Sequence, residues 1–247
     1  MPTVKLVLEY DGTRYVGWQV QPNGPSIQAE LEKALATLHK APVRVTGAGR
    51  TDAGVHALGQ VASFAVERAL PLTAYVLGMN ALLPDDVAVR EAEVRDGPFD
   101  ARRDARGKRY RYRIENAPTR APLGRLQAWQ VFRPLDVAAM RAAAGHLVGR
   151  HDFGAFQAAD CEAHHAVRDL RRLEVLGEAR GAIEVVAEAT AFLKHMVRNL
   201  VGTLVEVGLG ARDAASMPEL LASRDRTRAG RTAPPQGLVL EQVFYER

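Results

Sequence analysis

A single cysteine, Cys161, in 247 residues rules out an internal disulfide and removes any pointer to an oxidising compartment. No uninterrupted apolar run approaches the ~18 residues of a membrane span. The opening MPTVKLVLEYDGTRY has no basic segment leading into an apolar one, as an export signal would. The cytoplasm is therefore the expected address. A metal site is not expected either: Cys161, His164 and His165 lie close together with His151 and Asp152 upstream, but the spacing fits no zinc pattern, and a loop with incidental histidines explains it more simply. Low-complexity tracts and short-period repeats are missing too. What remains is an ordinary globular composition, 47% hydrophobic and 25% charged, long enough for one large domain or two smaller ones.

The formal net charge is +4 and the pI about 9.4, compatible with an anionic partner without establishing one. The basic residues cluster. Arg102, Arg103, Arg106, Lys108, Arg109, Arg111 and Arg113 fall in one short stretch answered only by Asp100 and Asp104, and Arg224, Arg226, Arg228 and Arg231 form a second group. Such runs are either solvated faces or nucleic-acid surfaces, and charge alone leaves both readings open.

Val4, Leu6, Leu8 and Tyr10 alternate with Lys5 and Glu9, which predicts a half-buried strand closed by the turn pair Asp11-Gly12. Ser26 suits the N-cap of a helix carrying Ile27, Leu31, Leu35 and Leu38 on one face. Strands are expected at 43–46, 60–66 and 87–94, with a second helix over 72–82 stopped by Pro84. Strand, helix, strand, strand, helix, strand is the ferredoxin-like order. A looser repeat follows, with strands at 109–114, 167–176, 183–189 and 239–245 and helices at 136–148, 194–207 and 213–222. The expected fold is α+β: two pseudo-symmetric ferredoxin-like halves, residues 1–104 and 105–247, with antiparallel sheet and helices packed on one side. The charged segment 96–107 is the expected join, and 117–125 reads as a surface loop.

The segment GAGRTDAGVHALG, residues 47–59, sets Gly47, Gly49, Gly54 and Gly59 around Arg50 and Asp52 between two expected strands. Glycines let a backbone turn sharply and approach a ligand, so the loop can present one carboxylate. A structural turn in which Asp52 caps backbone donors fits equally well. It is not a phosphate-binding loop, since no Lys-Ser or Lys-Thr pair is present and no strand-to-helix transition follows. Tyr110, between Arg109 and Arg111 on a strand, points to the opposite face from both; it is either a core residue or a platform for a base among phosphate-binding arginines. On the helix 194–207, Arg198 lies off the apolar face, on the stripe of Lys194 and Glu206, as a solvated or a functional side chain. Asp85 and Asp86 after Pro84 read as a turn opening a strand.

These segments resemble, in order, the motifs of the tRNA pseudouridine synthase A family. GAGRTDAGVHALGQV is similar to its signature, DGTRYVGWQVQPNGPSIQAELEKAL to its N-terminal segment, NALLPDDVAV to its Leu-Pro-Asp element, KRYRYRI to its Tyr motif and HDFGAFQ to its Asp-Phe segment; FLKHMVRNLVGTLVEVG and APPQGLVL complete the set. FDAR at 99–102 departs from it, with Asp100 where the family has His and Asp104 where it has a small hydroxyl residue. The resemblance implies that Asp52 is the nucleophile, that Tyr110 stacks on the uracil and that Arg198 pairs with Asp52 across an active-site cleft between the halves. It leaves Arg50 to contact phosphate or help extrude the base. It further implies isomerisation of uridine to pseudouridine at positions 38 to 40 of the tRNA anticodon stem-loop, by a homodimer and without a cofactor. Two rivals remain: a catalytically silent RNA-binding protein on the same scaffold, and an aspartate-dependent hydrolase, for which no companion acid stands at a persuasive spacing.

Overall fold

Strand β1 (Thr3–Tyr10) buries Val4, Leu6, Leu8 and Tyr10 and leaves Lys5, Val7 and Glu9 half-covered, as alternation requires. It sits in the middle of a sheet. β3 (His56–Ala65) pairs antiparallel on one side through Val4↔Phe64, and β4 (Val87–Arg95) on the other through Val4↔Val94. The short β2 (Thr46–Gly47) takes the far edge of β3, giving the order β4-β1-β3-β2 of a ferredoxin-like unit. Helix α1 (Ile27–His39) starts where Ser26 Oγ accepts the Ala29 N–H and ends at Lys40 in the left-handed region, φ 55°. The expected second helix spans 72–80 and is widened to π geometry over Ala74–Gly78, where the buried Tyr75 enters the core.

The next unit repeats strand, helix, strand, strand, helix as β5 (Gly107–Asn116), α2 (Val137–Gly145), β8 (Val167–Gly177), β9 (Ala182–Ala189) and α3 (Met196–Gly208). Its ladder is antiparallel from β5 through β9 and β8 to the short β7 (Gly149–Asp152), with β6 (Trp129–Val131) parallel to β5. Helix α2 packs on α3 and on β8. The segment expected as one helix over 213–222 is a 3-10 turn followed by α4 (Met217–Ser223). In α3 only Arg198 and Glu206 escape full burial, and Gly202 leaves room for the Arg231 carbonyl, where a Cβ would stand 1.7 Å from the oxygen.

The structure, a computed structural model, describes residues 1–246, and the class is α+β with mostly antiparallel strands, as expected. The division of the chain differs from a cut at 104/105. One unit is Met1–Arg106 together with the residues from Val239 on, and the other is Gly107–Leu238. The cause is β10 (Leu238–Phe244), which runs parallel to β3 through Val239↔His56 and Leu240↔Ala57. Phe244 O accepts the Arg106 N–H at 2.7 Å, and Tyr245 Oη donates to Ala101 O at 2.8 Å. Among the described residues no helix is long and apolar enough to cross a membrane.

Candidate active site

The Asp52 loop lies between β2 and β3, and the strand begins at His56, inside what reads as loop in the sequence. Asp52 itself is half-buried. Its backbone is gripped by the segment 15–18: Trp18 N–H donates to Thr51 O at 3.0 Å, Gly54 N–H donates to Tyr15 O at 3.3 Å, and Gly17 makes a β-bridge to Asp52. The grip depends on Gly17, whose φ of 115° is open to glycine and whose missing Cβ would lie 2.6 Å from Thr51 O. The Trp18 ring occupies the space over Gly47.

That gripping segment is held in turn by Asp86. The Asp86 carboxylate accepts from Tyr15 Oη at 2.6 Å and pairs with Arg14 at 2.6 Å, and Asp86 O takes the Asp11 N–H at 2.9 Å. The second carboxylate of the Pro84-Asp85-Asp86 turn therefore anchors the clamp on the Asp52 loop as well as opening β4. Burial and the Asp86 carboxylate push the Tyr15 phenol above its ordinary value, keeping it a donor. Beneath the loop, Tyr10 Oη lies 2.9 Å from Thr51 Oγ1, and the Gln60 amide donates to Gly49 O at 2.9 Å.

Arg50 is exposed on the same loop. Tyr110 and Arg198 belong to the other unit. Tyr110 keeps 8% of its surface open and meets Phe192 edge-on at 5.2 Å. Tyr112 is wholly buried, and its hydroxyl donates to Pro234 O at 2.7 Å, a structural side chain. Burial pushes the Tyr112 phenol up, against the opposing pull of the Arg198 and Arg231 charges. Arg198 is half-buried rather than freely solvated, and its Nε donates to Ala233 O at 2.7 Å. Ala233 lies on a strap held against α3: Ala233 N–H donates to Arg198 O, Gly230 N–H to Thr203 Oγ1, and Asn199 Oδ1 accepts from Arg226 and Thr232.

The arginine clusters prove to be mixed. Arg109 and Arg111 reach across to Glu188 and Glu184 of β9 at 2.9 and 2.8 Å. Arg224 pairs with Asp152, Arg228 with Glu219, and Arg231 lies 4.6 Å over the Trp129 ring. Arg102, Arg103, Arg106 and Arg113 are exposed. Asp100 and Asp104 have local work. Asp100 Oδ1 accepts from Arg102 and Arg103 N–H, while Asp104 Oδ2 accepts from Asp100 N–H, so the pair shapes the turn at 100–104. Among the described residues no group of three His, Cys, Asp or Glu side chains is placed to hold a metal ion.

Sequence reading missed Gly17, Tyr10, Thr51 and Gln60, which hold the loop. One signal was available: Gln60 falls among the apolar positions of its strand and is fully buried. A buried amide needs partners, and the partners are here.

Comparison with known proteins agrees with the motifs. The family model described as tRNA pseudouridine synthase matches residues 6–102 and 143–246. A Myxococcus xanthus protein named tRNA pseudouridine synthase A is 65% identical over 99% of this chain and 92% of its own length. Proteins of the same name from Geotalea uraniireducens and Geobacter sulfurreducens are 50% and 49% identical over 99% of this chain and 100% of theirs. A model match over most of the chain, with such identities end to end, means that the chain belongs to the tRNA pseudouridine synthase family.

Proposed function

We propose that the protein is an isomerase that converts uridine to pseudouridine in tRNA, with Asp52 as nucleophile. The carrying observation is a single half-buried carboxylate on a glycine-rich loop clamped from two sides, in a chain with this family membership. In the reaction the N1–C1′ bond breaks and a C5–C1′ bond forms. The C5 proton leaves and N1 takes one up, so atoms balance without an oxidant or an energy source. Asp52 attacks the ribose C1′, holding the sugar covalently while the freed uracil turns, or the uracil C6, holding the detached base, which turns about its new bond to the aspartate. Reaching a paired uridine requires flipping it out, at a few kcal/mol that phosphate contacts and stacking must offset.

Tyr110, Arg198 and Arg50 are assigned to substrate binding. For Tyr110 the support is a ring fixed edge-on by Phe192, which presets a stacking surface. For Arg198 it is a guanidinium anchored through Nε on a backbone carbonyl, which restricts its direction. Arg50 is supported by exposure beside the nucleophile. The finer readings, namely positions 38 to 40 of the anticodon stem-loop, a homodimer and a cytoplasmic address, rest on the motif resemblance.

The test is tritium release from tRNA carrying 5-³H-uridine, for the parent and Asp52→Asn, with the modified positions mapped and no metal or nucleotide added. Release by the parent alone, at the anticodon arm, is the expected result. A folded parent that binds tRNA without release would favour the RNA-binding alternative, and equal release from both proteins would remove Asp52 from the mechanism.

A further inference from the structure

Three polar side chains are buried in the apolar interior between β1, β3 and the Asp52 loop. Gln60 has no exposed surface, Tyr10 has 3% and Thr51 has 5%. An apolar trio of similar shape would fill this space without desolvating polar groups. What the polar trio adds is direction. Gln60 Oε1 accepts the N–H of Val61 at 3.2 Å, which assigns the amide: its Nε2 is the donor, to Gly49 O at 2.9 Å and, more weakly, to Tyr10 Oη at 3.4 Å. A phenol oxygen that accepts from Gln60 turns its own proton the other way, towards Thr51 Oγ1 at 2.9 Å. The donors run from Gln60 through Tyr10 to Thr51.

The ends of this relay fall on Gly49 and Thr51, on either side of Arg50 and immediately before Asp52. Two strands thereby set the height of the loop from below, as Trp18 and Tyr15 do from its flank. We propose that Gln60, Tyr10 and Thr51 are positioning residues, fixing the Asp52 peptide at the height and rotation from which its carboxylate attacks. This rests on Asp52 being the nucleophile. Tyr10 suits the task because burial pushes its phenol up to about 12, so it remains a neutral donor at any pH at which tRNA survives.

A purely structural trio and a positioning trio differ in what their loss changes. Catalytic geometry tolerates about 0.5 Å, and a misplacement of about 1 Å lowers a rate on the order of a hundredfold. Tyr10→Phe removes the hydroxyl and keeps the ring. In the full chain, below the melting temperatures of all variants, it is expected to lower the single-turnover rate of tritium release roughly ten- to hundredfold while the Kd for tRNA stays within about twofold. Thr51→Val is expected to do the same, Thr51→Ser to recover the rate lost in Thr51→Val, and the double variant Tyr10→Phe/Thr51→Val to be no slower than the slower single one, because both cut one chain. If Tyr10→Phe does not fold, Thr51→Val and Thr51→Ser carry the comparison alone. A folded Tyr10→Phe or Thr51→Val that releases tritium within about twofold of an active parent, or rate losses that multiply in the double variant, overturns the relay and leaves the nucleophile standing. An inactive parent, or an Asp52→Asn variant as active as the parent, overturns both.

Discussion

Gly17→Ala tests whether the clamp on the Asp52 loop is what the activity depends on. Two penalties arise from one methyl group. The residue sits at φ 115°, outside the regions open to alanine, which costs about 1–3 kcal/mol. Its new Cβ would also lie 2.6 Å from Thr51 O, 3.2 Å from Asp52 C and 3.3 Å from Ala53 N, all of them backbone atoms that cannot rotate away. Relief requires the Thr51–Asp52 peptide to retreat by on the order of 0.5–1 Å, the scale at which a catalytic rate falls by up to about a hundredfold. The retreat also stretches the hydrogen bond from Trp18 N–H to Thr51 O. A chain of this size should lose roughly 2–10 °C of Tm by differential scanning fluorimetry. Its single-turnover tritium release, measured well below the lower Tm, should fall roughly ten- to hundredfold. A variant with Tm and rate both unchanged would refute the clamp. A lowered Tm with an unchanged rate would show that the loop reaches its working position without segment 15–18.

Gly145→Ala is the matching control, because a Cβ at the last residue of α2 meets nothing within 4 Å; a gain of about 0.5–1 kcal/mol in urea unfolding is expected, with activity unaltered. Asn116→Ala should be damaging. The amide donates to Val131 O and Arg133 O and accepts from the Leu135 and Arg180 N–H groups, so its loss leaves the buried Val131 and Leu135 groups without this partner and should cost about 2–3 kcal/mol in the same assay. The raised Tyr10 pKa sets a sign for alkaline stability: the folded state favours the phenol, so its contribution is complete below pH about 10 and is lost as the pH climbs through about 12. That contribution is on the order of 2–3 kcal/mol, and the pH slope of Tm between 10 and 12 should be shallower in Tyr10→Phe than in the parent. Finally, Arg102→Gln and Arg103→Gln, on the exposed turn, should each weaken tRNA binding and reduce its salt slope by up to about one, whereas Arg109→Gln should lower stability more than affinity.

Much of the fold was legible because periodicity is a local property. The alternation of Val4, Leu6, Leu8 and Tyr10 and the cap at Ser26 describe elements that depend on their own residues, and both are where they were expected. The errors fall where a distant partner decides. Residues 43–46 read as a strand, yet only Thr46–Gly47 finds a ladder partner, at Ser63 and Ala62. His56 to Gly59 read as loop because of the glycines, yet they pair with β1 and β10, and Gly59 is wanted there because a Cβ would lie 2.5 Å from Glu241 O. The last strand followed the second half in sequence, but its partners at His56 and Ala57 lie some 180 residues earlier, a pairing that no local pattern announces.

The same distinction separates residue types at the site. Asp52 stands out as a candidate because a carboxylate in a glycine setting is written in consecutive residues, yet those residues fit a structural turn equally well, and it is the resemblance of the motifs that implies a nucleophile there. The arginine clusters were legible only as charge, since what an arginine does depends on whether a carboxylate faces it across a ladder. In β5 the register Arg109↔Glu188 supplies a partner directly opposite, and Arg111 slants to Glu184, two residues beyond its own partner Val186. The alternation that sends Tyr110 to one face and the two arginines to the other is thus real, but it serves sheet pairing on the arginine side. Opposite charges met in this way are neutralised before any phosphate arrives. The arginines of this segment that stand outside the ladder are Arg102, Arg103 and Arg106, which precede the strand and are exposed, and the first two are the ones whose substitution is predicted to weaken tRNA binding. A basic run in a sequence gives an upper bound on the charge available to RNA, and strand register decides how much of it remains.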